Sequence, residues 1–364
     1  MNAPEDFSQT LFRLRQDPQA AARSASASGE RVVGYVGNDV PVALLLAARA
    51  LPVRLRGSNK ADTTRADRFL ESSFTPELRV IAEQWLQGAF DHLHAVVFAR
   101  GDDSGQRLYY YLCELQRRGA CAGPLPLLFD VASLPRDASF EHTLESTRLL
   151  ASQLGAPVEA LPPALERVAR REELLRSVQA RRRLPAPLPG SAAWSLEYAA
   201  ACDWRVTFDD AAQRWLDAAA LLPMPRRVVL AGDPPSDDQL HTAIEAAGAS
   251  VVLELTQSSP AAVRTRRDPL GAIAEEFQRR ELPALAMRRN PRWLADQALD
   301  HRADAVLVWL SEQNEALPWE IARQMQSLRT AGIPALLLAR QPWQPSAAAL
   351  TQVMHFVRAP GEFR

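Results

Sequence analysis

An α/β fold of two parallel-sheet lobes with a helical segment between them is what the sequence predicts. Three observations lead there. Short apolar runs ended by turn residues alternate with helical stretches over residues 31–140. The same rhythm returns from residue 226, and no strand pattern interrupts the helical periodicity between them. Strands alternating with helices of about ten to fifteen residues mean βαβ units and a mostly parallel sheet.

The elements follow in order. Phe7, Leu11 and Leu14 fall on one face of an amphipathic helix. The small-residue run Ala20 to Gly29 after it reads as a flexible joint, so residues 1–30 stand apart. In the first lobe, 31–140, strands are expected at 31–36, 52–56, 94–98 and 124–129, and helices at 41–50, 76–89 and 105–118. The segment 141–225 carries helices at 142–154, 162–182 and 209–222, broken by the proline-rich run 184–189. In the second lobe, 226–364, strands are expected at 227–231, 250–254, 305–309 and 334–338. Helices are expected to end near Ala247 (capped by Asp237 or Asp238) and to span 293–301 and 319–331. Both lobes are expected to be Rossmann-like (flavodoxin-like).

Composition narrows the function classes. The chain has 364 residues and a formal net charge of −1, which gives no long-range field to attract nucleic acid or an anionic membrane. Lys60 is the only lysine beside 41 arginines, and this excess, spread over the whole chain, reads as coding bias. Three cysteines cannot build a disulfide framework in a chain of this length and point to a reducing compartment. The first thirty residues lack the apolar core of a signal peptide. The most apolar stretch, 40–51, contains Pro41 and Arg49 and is shorter than the roughly twenty residues a spanning helix needs. A cytoplasmic protein with no membrane and no nucleic-acid partner is expected.

No strong stand-alone catalytic motif is present. The turn Gly232-Asp-Pro-Pro-Ser236 is not a GxGxxG loop, and its prolines remove amide donors that a pyrophosphate would need. No P-loop exists, and Lys60 lies in none. Gly34 and Gly37 read as a tight strand-to-helix turn rather than a phosphate cradle. The spacings of Cys113, Cys121 and Cys202 fit no zinc or iron–sulfur pattern. His92 and His94, near the start of a strand, read as ordinary strand-edge residues. Asp102 and Asp103, at the carboxyl end of a strand, offer either paired acid–base groups or a helix cap.

Several segments, taken together in their order and spacing, resemble the iron–sulfur subunits of 2-hydroxyacyl-CoA dehydratases and benzoyl-CoA reductases. They are Gly34-Tyr-Val-Gly-Asn-Asp-Val-Pro41, Ala50-Leu-Pro-Val-Arg-Leu-Arg56, Ala66-Asp-Arg-Phe-Leu70, and Asp103 with Gln106-Arg-Leu108. Further along come Leu134-Pro-Arg136, the helix 164–182, Asp268-Pro-Leu-Gly-Ala-Ile-Ala274 and Gly332-Ile-Pro-Ala-Leu336. The resemblance implies three cysteines holding a [4Fe-4S] cluster. The positions matching them here are Thr75, Asp102 and Gln257, none of which supplies a thiolate. No cofactor is therefore expected. The resemblance further implies a related cluster-bearing subunit as partner and an acyl-CoA ligand, with Arg54, Arg56 and Arg79 placed either to meet CoA phosphates or as surface charge.

The leading expectation is a non-catalytic or diverged subunit beside a cluster-bearing paralogue, and whether the chain is itself an enzyme stays open. Two alternatives stand beside it: an active dehydratase or reductase subunit holding [4Fe-4S] through ligands not recognised, and a cluster-free acyl-CoA binding protein.

Overall fold

The computed structural model describes residues 3–57, 62–100, 103–132, 134, 136–219, 223–256, 268–280, 283–314 and 317–363. Among these, the elements run α1 (Ala3–Gln16), α2 (Ala20–Ala27), β1 (Val32–Val36), α3 (Val42–Ala47), β2 (Leu51–Arg54), α4 (Pro76–Leu86), β3 (Ala95–Ala99), α5 (Asp103–Arg117) and β4 (Leu125–Phe129). Then come α6 (Asp137–Leu154), α7 (Leu161–Arg182), α8 (Gly190–Cys202), α9 (Val206–Ala218), β5 (Arg226–Gly232), α10 (Gln239–Ala246) and β6 (Ala249–Leu255). The series closes with α11 (Pro269–Arg279), α12 (Pro283–Arg289), α13 (Trp293–Asp300), β7 (Ala305–Ser311), α14 (Leu317–Thr330), β8 (Ala335–Gln341) and α15 (Ala347–Arg358).

The chain forms two compact units. The first comprises Met1–Glu173, Tyr198–Gln213 and Pro260–Arg280; the second comprises Leu174–Glu197, Arg214–Ser259 and Glu281–Arg364. The stretch 141–225, read from sequence as a segment between the lobes, is thus shared out between both units. The run 20–29, read as a joint, is helical over Ala20–Ala27, because Ala21, Ala22 and Ala25 are small enough to be buried.

The first unit holds a four-stranded parallel sheet in the order β2-β1-β3-β4. Val33, Tyr35, Val97 and Phe129 face a core completed by Leu44 and Leu45 of α3, Leu150 and Leu154 of α6, and Phe277 of α11. Val53, Leu55, Val96 and Phe98 face a second core with Ile81 and Trp85 of α4 and Leu108 and Leu112 of α5. Helices on both faces of continuous apolar strands give the doubly wound arrangement expected.

The second unit repeats the plan in the order β6-β5-β7-β8, again all parallel. Val228, Leu230, Val251 and Leu307 pack against α10 and α15, while Val229, Ala231, Leu253 and Val308 pack against α13 and α14. Strand β6 carries one extra residue against β5: Val228 pairs with Val251 but Val229 pairs with Leu253. The alternation therefore changes phase at Val252, and Glu254 comes to the α10 side of the sheet. No helix among the described residues is long and apolar enough to cross a membrane.

Candidate functional site

Ligands in open α/β sheets bind beyond the carboxyl ends of the strands. In the first unit β1 leads there into a turn through Gly37, whose φ of +85° suits a residue without Cβ. Next in that turn is Asn38, whose side-chain oxygen accepts from Nη1 of Arg54 at the end of β2. Arg54 is only 8% exposed. Two residues on, the Arg56 guanidinium lies 4.6 Å from the Tyr198 ring centroid of α8, and its Nη1 is 3.9 Å from Glu77. Tyr35, the partner of Arg54 in the β1–β2 register, donates its hydroxyl hydrogen to the Ala201 carbonyl at 3.0 Å. Burial, then the neighbouring Arg56 charge, pushes Arg54 down to about 10.

Arg79 has a different setting. It pairs with Asp67 and donates to the Glu71 carbonyl at 2.8 Å. The turn Ala66–Arg68 is also held by buried Glu83 of α4, whose Oε2 accepts from the backbone N–H groups of Arg65 and Ala66 at 2.8 Å each. Helix α4 thus organises the Ala66-Asp-Arg-Phe-Leu70 element.

Of the three positions matched to cluster ligands, Thr75 is described, whereas Asp102 and Gln257 lie outside the described residues. Thr75 is the extended, half-buried residue before Pro76 at the start of α4, and its hydroxyl does not cap the helix. The segments carrying Thr75 and Asp103 are tied by Arg107 of α5. It pairs with Asp103 at 3.0 Å, bonds Glu71 at 2.9 Å and Ser73 Oγ at 3.1 Å, and stacks 4.5 Å over the Phe74 ring. Tyr111 adds a bond to Glu71 at 2.8 Å.

The cysteines occupy other positions of the chain. Cys113 is on α5 beside Tyr109, Cys121 follows α5 against the core of α4, and Cys202 ends α8. Burial pushes all three thiols up, Cys202 to about 11 despite the nearby Arg56 and Arg54. Among the described residues no group of three or more His, Cys, Asp or Glu side chains is arranged to hold a metal ion. His92 and His94 precede β3, and burial lowers the pKa of each.

In the second unit, Gly232 closes β5 with φ +108°, and Asp233 ties β5 to the end of β7 by accepting from Ser311 N and Asn314 Nδ2, each at 2.6 Å. Residues missed in the sequence form a buried cluster beside β6. Arg182 of α7 donates Nε to the Val251 carbonyl at 3.0 Å and lies 3.4 Å from Glu254 and 3.7 Å from Glu197. Glu254 also contacts His241 of α10 at 2.9 Å. Burial pushes Glu197 up to about 7. Burial also works against ionised Glu254, but His241 and Arg182 outweigh it and hold the carboxyl near 2. The sequence signal was two ionisable residues, Arg182 and Glu254, inside otherwise apolar or helical patterns.

No match to the chain was found among curated proteins. The family model for 2-hydroxyglutaryl-CoA dehydratase, D-component, matches residues 38–357. That match covers every strand except β1, and every segment on which the resemblance was read except the first residues of Gly34–Pro41. The chain belongs to the 2-hydroxyglutaryl-CoA dehydratase D-component family.

Proposed function

We propose that this chain is a cluster-free member of its family that works as the partner of a related, cluster-bearing subunit. The observation that carries the reading is the donor set. Thr75, Asp102 and Gln257 stand where the resemblance puts cysteines, and hard oxygen or amide donors do not replace thiolates at an iron–sulfur cluster. The thiols that the chain does have are held protonated by burial, which opposes metal binding. The donors do not fit the cluster, and no redox step is routed through this chain. Support for a dehydratase-like frame comes from the family match, and within this chain Arg107 joins the turn before Thr75 to the start of α5.

The test is an iron and sulfide assay after anaerobic reconstitution, with affinity capture of a co-expressed cluster-bearing paralogue. A colourless chain that captures the paralogue is expected. Stoichiometric iron with broad visible absorption would overturn the reading in favour of an active subunit with other ligands. A chain that stays alone and colourless would overturn the pairing.

A further inference from the structure

Trp319, on the outer face of α14, is 82% exposed, the most of any large apolar side chain among the described residues. Arg323, Gln326 and Thr330 continue that face at helical spacing, and Arg329 borders it; all are exposed. Helix α12 is fastened alongside by the fully buried Gln324, whose Nε2 donates to the Met287 carbonyl at 2.8 Å and the Asn290 carbonyl at 2.7 Å. Between those two carbonyl residues stand the exposed Arg288 and Arg289, next to the α14 turn that carries Arg323. Arg107, Arg171 and Arg280 are in ion pairs, but among the described residues Arg288, Arg289, Arg323 and Arg329 are in none. Tryptophan and arginine without counter-charges of their own are the composition of an interface, not of ordinary surface.

The first unit carries the complement. Helix α6 exposes Asp137, Glu141 and Glu145 at four-residue steps, and Leu149, 57% exposed, takes the next step. None of the three carboxylates is in an ion pair among the described residues. We propose that the α12–α14 face of one copy docks on the α6 face of a second copy of this chain. Four residues advance about 6 Å along either helix, so the two patterns match when the helices run antiparallel. Trp319 then meets Leu149, Arg323 meets Glu145, and Arg329 lies toward Asp137, with Arg288 and Arg289 flanking Glu141. Arg148, exposed and basic on α6, falls beside the Trp319 ring and Glu320, both of which suit a guanidinium. The contact joins two different patches and is therefore heterologous. It goes beyond the proposed function and does not require the cluster-bearing paralogue.

The experiment is sedimentation velocity of the full-length chain over a wide concentration range, at low and high sodium chloride. Self-association that weakens with salt is expected, because salt screens exposed charge pairs. Trp319→Ala should loosen it about tenfold or more, as truncating an interface tryptophan does. Two charge-reversed chains complete the test: Arg288→Glu with Arg323→Glu, and Glu141→Arg with Glu145→Arg. Each should be monomeric alone, and their mixture should form a 1:1 complex, since each supplies the face that the other has kept. That recovery cannot come from unfolded variants. A parent that is monomeric throughout, association that survives both reversals, or a mixture that stays monomeric would overturn the proposal. A monomeric parent whose capture of a co-expressed paralogue is lost with Arg288→Glu and Arg323→Glu would give the face to the paralogue, and so overturn docking between copies.

Discussion

Glu254 Oε2 lies 2.9 Å from His241 Nε2, and the same oxygen faces Arg182 Nη2 at 3.4 Å. Glu197 approaches that arginine from the other nitrogen at 3.7 Å and receives a bond from Gln179 at 2.7 Å. The two carboxylates are displaced in opposite directions, Glu197 up to about 7 and Glu254 down to about 2. Their effects on stability therefore have opposite signs. Glu254, depressed below its usual 4.5, contributes stability above that value that is lost as pH falls toward 2. Glu197, raised, contributes stability that is full below 4.5 and lost as pH rises through about 7. Urea melts of Glu197→Gln across this range should lack the decline between pH 4.5 and 7 that the parent shows. An unchanged slope would remove Glu197 as its source.

Arg171 is buried against Asp209, donates Nη2 to the Asp203 carbonyl at 2.9 Å, and stacks 4.5 Å from the Trp204 ring. Asp209→Asn leaves that guanidinium buried without its counter-charge. A loss of about 3–5 kcal/mol is expected from breaking such a pair. Chemical denaturation measures it, and a loss under about 1 kcal/mol would mean the pair is not maintained in solution.

Glu83 satisfies two backbone N–H groups with one buried oxygen. Glu83→Ala strands both donors and frees the Ala66–Arg68 turn. Bonds to a charged acceptor are worth about 1.5–3 kcal/mol each, so a destabilisation of about 3 kcal/mol is expected in thermal or urea melts. Faster amide exchange at Arg65 and Ala66 should accompany it.

Gly232 cannot accept a side chain. A Cβ there would stand 2.1 Å from the Trp309 carbonyl oxygen, at a φ of +108°. Gly232→Ala should cost at least about 2 kcal/mol through strain and displacement of β7. A variant as stable as the parent would show that the two strand ends are not held together as described.

Periodicity disclosed the strands because parallel strands buried on both faces are short apolar runs, as in Val32–Val36 and Ala305–Leu310. It disclosed α1 because Phe7, Leu11 and Leu14 make a stripe, and all three are buried. Helix α8 escaped, since Ala193, Leu196, Ala199 and Ala200 are buried amid other alanines and the stripe has no polar contrast. Helix α11 escaped although its start is written plainly: Asp268 caps it by accepting from Leu270 N, with Pro269 in the first position. Helix α15 carries a similar signal, Ser346 accepting from Ala349 N at 3.1 Å. At the candidate site, the resemblance singled out Arg54, Arg56 and Thr75 by number. What it could not supply was the company they keep. The Tyr198 and Cys202 neighbours of Arg56 come from more than 140 residues away. The partnership of Arg107 with Glu71 and Ser73 depends on how α4 and α5 pack, which no local pattern encodes.

The extra residue in β6 has a consequence for the chemistry of the second unit. Strict two-residue alternation from Val251 would seat Leu253 and Leu255 against α10 and turn Glu254 toward the Leu294 and Met325 interior, away from His241 and Arg182. Val252 works as a half-step in the pleat: it delivers a carboxylate to His241 and Arg182 and sends two leucines to the oily side in the same move. Removing that single residue would exchange the addresses of every side chain after it, so a deletion of one valine should act on this unit as a charge buried in the wrong wall.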